Sequence, residues 1–199
     1  MEKILIFVKH HFGFLWKLIE RWNALLFSLL YGSALEKVLP GVFRELEDPV
    51  FSYRRIKVSD VKDLSELIHS QEDPDLAYFS PHAFDTPSLE KQFRNRAFLM
   101  MGAFDRERLV GYFFLRFFVN RKCFVGRLID KPYRGKGIGN MMNHVMYQTA
   151  WRMGFRCLST ISKNNHAVIR AHAKNSSMVV LKELQNDYLL VEFISSQSQ

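Results

Sequence analysis

Cysteine is scarce in this chain. The 199 residues include two, Cys123 and Cys157, too few for a disulfide framework. No cleavable leader pattern is evident either, so the expectation is a reducing, cytoplasmic setting. Both cysteines fall in apolar stretches and read as small buried hydrophobes rather than nucleophiles. The seven histidines show no metal-ligand spacing, and His10-His11 are simply adjacent, so no metal is expected. The serine-nucleophile pattern G-x-S-x-G is absent. Long apolar runs are missing too. In the N-terminal segment the longest uncharged stretch, Trp22 to Leu35, has fourteen residues including Asn23, Ser28 and Ser33, short of the roughly 20 apolar residues a spanning helix needs.

What is abundant is apolar side chain and positive charge. Hydrophobic residues make up 48% of the chain, enough to build the core of one ordinary domain with an appendage. The formal net charge is +8, and residues 94–136 carry eleven Lys or Arg against Asp105, Glu107 and Asp130, which is the whole excess. Such a field favours an anionic ligand. Several of these cations alternate with aromatics inside strand-like runs, and no DNA-reading helix accompanies them, so nucleic acid is not an expected partner.

Residues 1 to about 39 differ from the rest. Leu5, Val8, Phe12, Leu15, Ile19, Trp22, Leu26 and Leu29 recur every three or four residues, the stripe of a long amphipathic helix, which Gly32 and Pro40-Gly41 are expected to end. With six basic and six acidic residues in 1–50, this segment has no polybasic anchor of its own. Packing on the domain or in a homodimer is its expected use, with a peripheral membrane contact as the other. From Phe51 the pattern turns to mixed α/β. A strand over 51–58 leads to a helix capped at Ser59-Asp60, and residues 70–88 form a long irregular segment of the kind that often carries function. A short helix over 88–95 precedes strands at 97–104, 109–119 and 123–130. A helix over 138–153, a strand at 155–161, a helix over 165–174 and a hairpin turning at 185–187 complete the order.

Between the fourth strand and the helix at 138 stands Asp130-Lys131-Pro132-Tyr133-Arg134-Gly135-Lys136-Gly137-Ile138-Gly139-Asn140. Backbone N–H groups in such a loop point at whatever lies over the helix start, where the helix dipole adds positive character. Gly135, Gly137 and Gly139 permit positive φ and close approach, while Arg134 and Lys136 add full charges. The spacing is wrong for a P-loop, and Asn140 stands where the dinucleotide fingerprint needs its third glycine.

Arg134-Gly135-Lys136-Gly137-Ile138-Gly139 resembles the pyrophosphate loop R/Q-x-x-G-x-G/A of the GNAT superfamily of acyl-CoA-dependent N-acyltransferases. Asn165, with His172 seven residues on, is similar to the family's Asn followed by Tyr or His. Ser176-Ser177 stand where the family usually has Gly-Phe, and residues 1–50 have no counterpart in its common core.

The resemblance implies a mixed, mostly antiparallel central sheet flanked by helices over 46–199, with the N-terminal helical extension at 1–45. It implies acetyl-CoA as donor, its pyrophosphate on Arg134, Gly135, Lys136, Gly137, Ile138, Gly139 and Asn140. The pantetheine arm would lie between the fourth and fifth strands on backbone groups near Leu128 and Ile129, with Asn165 also touching the arm. It further implies direct attack of an amine on the thioester, with His172 protonating the departing thiolate. His82, with Asp85 beside it in the irregular segment, is the candidate on the acceptor side. The expected reaction is acetyl transfer to a primary amine of a small anionic acceptor such as an amino sugar. A protein or peptide amine, or a non-catalytic acyl-CoA-binding module, are the alternatives.

Overall fold

The computed structural model describes residues 13–72, 76–79, 81–166, 168–169 and 177–195, with backbone alone at 13–16. Strands β1 (Phe51–Arg55), β2 (Phe98–Asp105), β3 (Arg108–Phe118), β4 (Lys122–Ile129), β5 (Arg156–Ser162), β6 (Met178–Glu183) and β7 (Tyr188–Phe193) form one sheet in the order β1-β2-β3-β4-β5-β7-β6. Every neighbouring pair is antiparallel except β4 and β5. Helices α1 (Gly13–Arg44), α2 (Val61–His69), α3 (Thr86–Phe93) and α4 (Ile138–Arg152) flank it.

Strand alternation divides the core. On β3, Tyr112 and Phe114 join Leu64, Leu67 and Leu89 from α2 and α3. Phe113, Leu115 and Phe117 point the other way, to Phe27 and Leu35 of α1 and Met142 and Met146 of α4. Both faces of β3 are apolar, so the strand reads as a continuous hydrophobic run and is covered on both sides.

The N-terminal helix departs from the expected stripe. Trp22 is 56% exposed and Leu29 73%, while Phe27, Leu35, Leu39 and Val42 are buried. Leu5, Val8 and Phe12 lie outside the described residues, as does the side chain of Leu15. The helix carries a second apolar face, one residue round from the first, and that face meets the sheet. Nor does the helix end at Gly32 or Pro40; it runs to Arg44. Leu39 and Val42 are held in the core on either side of the proline, and such packing outweighs one missing backbone bond. Asn23 fixes the seating by donating to Phe117 O at 2.9 Å and accepting from Val119 N at 3.1 Å.

Two smaller departures share a cause. The first strand stops at Arg55, and a 3-10 turn at Val58–Asp60 intervenes before α2. Asp60 does not cap α2 with its side chain. Its carboxylate instead pairs with Arg54 at 2.6 Å and accepts from Lys57 N at 2.7 Å. The hairpin turn at 185–187 forms as expected, with Asn186 and Asp187 both at φ 58°. Most of the helix expected at 165–174 lies outside the described residues.

Candidate active site

β4 and β5 run side by side only at their beginnings. Their register consists of Lys122 with Arg156, Cys123 with Cys157 and Phe124 with Leu158. The two thiols are adjacent, buried and free, and burial pushes both upward in pKa, which leaves them unreactive. At the point of separation Ser159 Oγ donates to Val125 O at 3.0 Å. Beyond it β4 stays paired with β3 as far as Ile129, but among the described residues no strand lies along its other edge.

Which peptide groups face that gap follows from the ladder. Asp130 N donates to Val110 O, so by antiparallel alternation Leu128 and Gly126 also direct their N–H and C=O groups to β3. Consistently, Leu128 O lies 3.3 Å from the position of a Cβ on Gly111. Val125, Arg127 and Ile129 address the gap. Of the two residues expected to hold the donor's arm, Leu128 therefore has its peptide groups turned to β3, whereas those of Ile129, and of Arg127 two residues before it, face the gap.

The loop after β4 is built as an open concavity. Gly135 has φ 79° and Gly137 φ 86°, the left-handed region that glycine enters without strain. A Cβ at either would meet nothing within 4 Å. Gly137 caps α4 with no side-chain hydrogen bond, and the first backbone bonds run from Asn140 and Met141 to Gly137 O. The amides of Ile138 and Gly139 precede them at the positive end of the helix dipole. Lys136 Nζ stands 4.7 Å from the centroid of Tyr133.

Arg134 fastens this loop. Its Nε donates to Ile129 O at 3.1 Å and its guanidinium reaches Gln71 Oε1 at 3.3 Å. Gln71 in turn donates to Asp130, which pairs with Arg108 at 3.2 Å. Asp130 is thus a buried strut.

Gly139 is a glycine for another reason. Its φ is not positive, but a Cβ there would come within 2.9 Å of Arg127 Nη1. Arg127 reaches across from β4 and donates from Nε to Asn143 Oδ1 at 2.9 Å. Among the described residues no acid pairs with it, and burial lowers its pKa from the ordinary arginine value. A half-buried cation beside a helix N-terminus opposes the dipole, and an anion placed between them relieves both. Only the fold reveals this, since nothing local in "VGRLI" marks its arginine.

His82 and Tyr112 stand on the other face of β4. Ala83 O can only accept, so His82 Nδ1 donates to it at 2.8 Å. Nε2 then carries the lone pair and accepts from the Tyr112 hydroxyl at 2.8 Å. Burial, chiefly, lowers the His82 pKa; the hydrogen bond to Ala83 O opposes it, Arg116 lowers it further and Asp85 raises it. The imidazole is therefore neutral near pH 7. Tyr112 is opposite Leu128 in the β3–β4 register, and Phe79, Phe84, Phe98 and Phe114 surround the pair. Asp85 is occupied as the cap of α3, accepting from Ser88 N at 3.0 Å. Asn165 Oδ1 likewise accepts from Val168 N at 3.1 Å. His172 lies outside the described residues. No cluster of three metal-binding side chains occurs among the described residues.

Residues 62–176, more than half of the chain, match the Acetyltransferase (GNAT) family. The chain belongs to this family. No curated protein matches it in sequence. Among solved structures, the PaiA N-acetyltransferase of Thermoplasma acidophilum in complex with coenzyme A has a TM-score of 0.62 at 17% identity, over 73% of this chain and 99% of that one. The ribosomal-protein-S5-alanine acetyltransferase of Vibrio fischeri scores 0.59 at 17% identity, over 77% and 98%. The acetyltransferase yncA of Salmonella typhimurium with acetyl-CoA scores 0.54 at 17% identity, over 72% and 91%. As a member of this family the GNAT protein is an acyl-CoA-dependent acetyltransferase with acetyl-CoA as donor. The open glycines, the uncapped helix start and the parted strands of this chain fit such a donor.

Proposed function

We propose that this GNAT enzyme transfers acetyl to a primary amine of a small anionic acceptor such as an amino sugar. In the reaction the amine nitrogen bonds to the acetyl carbon, the carbon–sulfur bond breaks, the ammonium proton goes to a base and the thiolate takes up a proton. Residues 134–140 and the Arg127 guanidinium hold the diphosphate of the donor. The peptide groups of Arg127 and Ile129, which face the gap between β4 and β5, orient the arm and its thioester carbonyl, where negative charge develops. His172 is the proton donor to the departing thiolate, and Asn165 is a contact of the donor's arm.

On the acceptor side His82 is the base. It is already in its neutral form, it lies one strand from Leu128, and release from the Tyr112 hydroxyl exposes its lone pair. The observation that carries the acceptor class is the excess of cations over residues 94–136, eleven Lys or Arg against three acids, a field that draws in an anionic acceptor and repels a polyamine. A second reading, a protein or peptide amine, has the support of the acetyltransferase acting on ribosomal protein S5 among the similar structures. That likeness is one of fold.

A panel of amines with acetyl-CoA, followed by free thiol, tests both. Turnover of a nucleotide-linked amino sugar above that of spermidine and of an alanine-terminated peptide is expected. Equal or faster turnover of spermidine overturns the anionic acceptor, and preference for the peptide establishes the second reading.

A further inference from the structure

Helix α1 uses one face to join the core and leaves another bare. Leu18, Trp22, Leu25, Leu26, Leu29 and Leu30 are 39–73% exposed, and their spacing of 4, 3, 1, 3 and 1 lines them along one side of the helix. An exposed apolar strip of this length marks an interaction surface.

The surroundings of the strip identify what it meets. Arg96 leans on the helix, donating to Ser28 Oγ at 3.0 Å. The turn between β3 and β4 is tied to the same helix through Asn23 and Val119 and presents Arg121 and Lys122 to solvent. With Lys17 and Arg21 on the helix and Arg94 beside Arg96, segments 17–35, 93–97 and 117–124 bring six exposed cations to this side of the molecule apart from Arg116. Their sole acid is Glu20, and it is already paired with Arg116 at 2.6 Å. None of the six has an ion-pair partner among the described residues.

We infer that this face docks on an anionic lipid surface, with α1 lying in the interfacial plane. Leucines and an exposed tryptophan enter the headgroup–acyl boundary, and the ring of cations meets lipid phosphates. By length and composition alone α1 could cross a membrane. However, Phe27, Leu35, Leu39 and Val42 are committed to the core of the sheet, so the helix lies on the bilayer rather than through it. A second copy of the chain is the poorer occupant, because a symmetric contact would set these cations against their own images.

The test is flotation of the full chain with vesicles of phosphatidylcholine alone and of phosphatidylcholine with phosphatidylglycerol. The expected result is binding to the anionic vesicles only, abolished by high salt. Leu25→Glu with Leu29→Glu, and separately Arg21→Glu with Lys122→Glu, should each weaken the partition by about tenfold or more. Calorimetric binding of acetyl-CoA should be unchanged in both variants, which shows that they fold. Equal partition of wild type and variants, or no binding to either vesicle, overturns the inference. So does a solution mass of two chains that falls to one in the leucine variant, since a second copy then occupies the face. Binding that appears only after removal of residues 1–12 assigns the face to the chain's own N-terminus and also overturns it.

Discussion

The two sides of β4 differ in how far they are prepared for a ligand. On the α4 side, Gly135 and Gly137 border open space, the helix start has no side-chain cap and, among the described residues, no acid neutralises Arg127. On the opposite side the groups are satisfied. His82 has a partner at each nitrogen, Asp85 caps a helix, and a Cβ on Gly126 would strike Phe114 at 2.7 Å. The donor side is complete before its anion arrives. The acceptor side is complete without a ligand, so an amine must displace an existing contact. Such an arrangement favours acetyl-CoA as the first substrate to bind.

The sharpest way to break this contrast is Arg127→Leu. Acetyl-CoA affinity should fall about 10- to 100-fold by calorimetry, the equivalent of roughly 1.5–3 kcal/mol for a hydrogen bond between charged groups. The melting temperature of the ligand-free protein should meanwhile rise, because a half-buried cation facing a dipole has been removed. Unchanged affinity would mean that the donor side is not organised around this charge.

Gly139→Ala comes next. It forces Arg127 aside and should cost about 1–3 kcal/mol in denaturant unfolding. Combined with Arg127→Leu most of that cost should vanish. Additivity to within about 0.5 kcal/mol would show that the glycine makes room for something else. Gly137→Ala is expected to cost about 1–2 kcal/mol through its left-handed backbone, with or without Arg127.

The smallest effect belongs to His82. Its pKa is depressed in the folded protein, so the unfolded chain takes up a proton first as pH falls below the ordinary histidine value of 6.5. Stability present above that pH is then lost down to the folded value. His82→Gln should flatten this slope, read from denaturant midpoints across the range. An unaltered slope would mean that the imidazole is no more secluded than a surface histidine.

Much of this was legible in the sequence because its signals are local. Alternation in "LVGYFFLRFFV", punctuation at the turns, and the spacing of Arg134, Gly135, Gly137 and Gly139 locate the strands and the loop without reference to distant residues. What the sequence hid depends on partners far along the chain. Two apolar faces of α1 are offset by one residue, and only the sheet decides which is covered. Ladder alternation, set by β3, turns the peptide groups of Leu128 to β3 and those of Arg127 to the gap. Gly139 reads as one more loop glycine until Arg127 is seen beneath it. The cations flanking α1 come from residues 94–96 and 121–122, so counting charges within residues 1–50 could not find them.

The meeting of β4 and β5 has a mechanical consequence. The seven strands are two smaller sheets, β1 to β4 and β5 to β7, stitched by three residue pairs and one serine hydroxyl. Few backbone bonds resist prying them apart, and deuterium should enter the Arg127 and Ile129 amides sooner than those of Gly126 and Leu128. A donor whose arm fills that seam would act as a missing strand, so the loaded enzyme should be stiffer and more heat-resistant than the empty one.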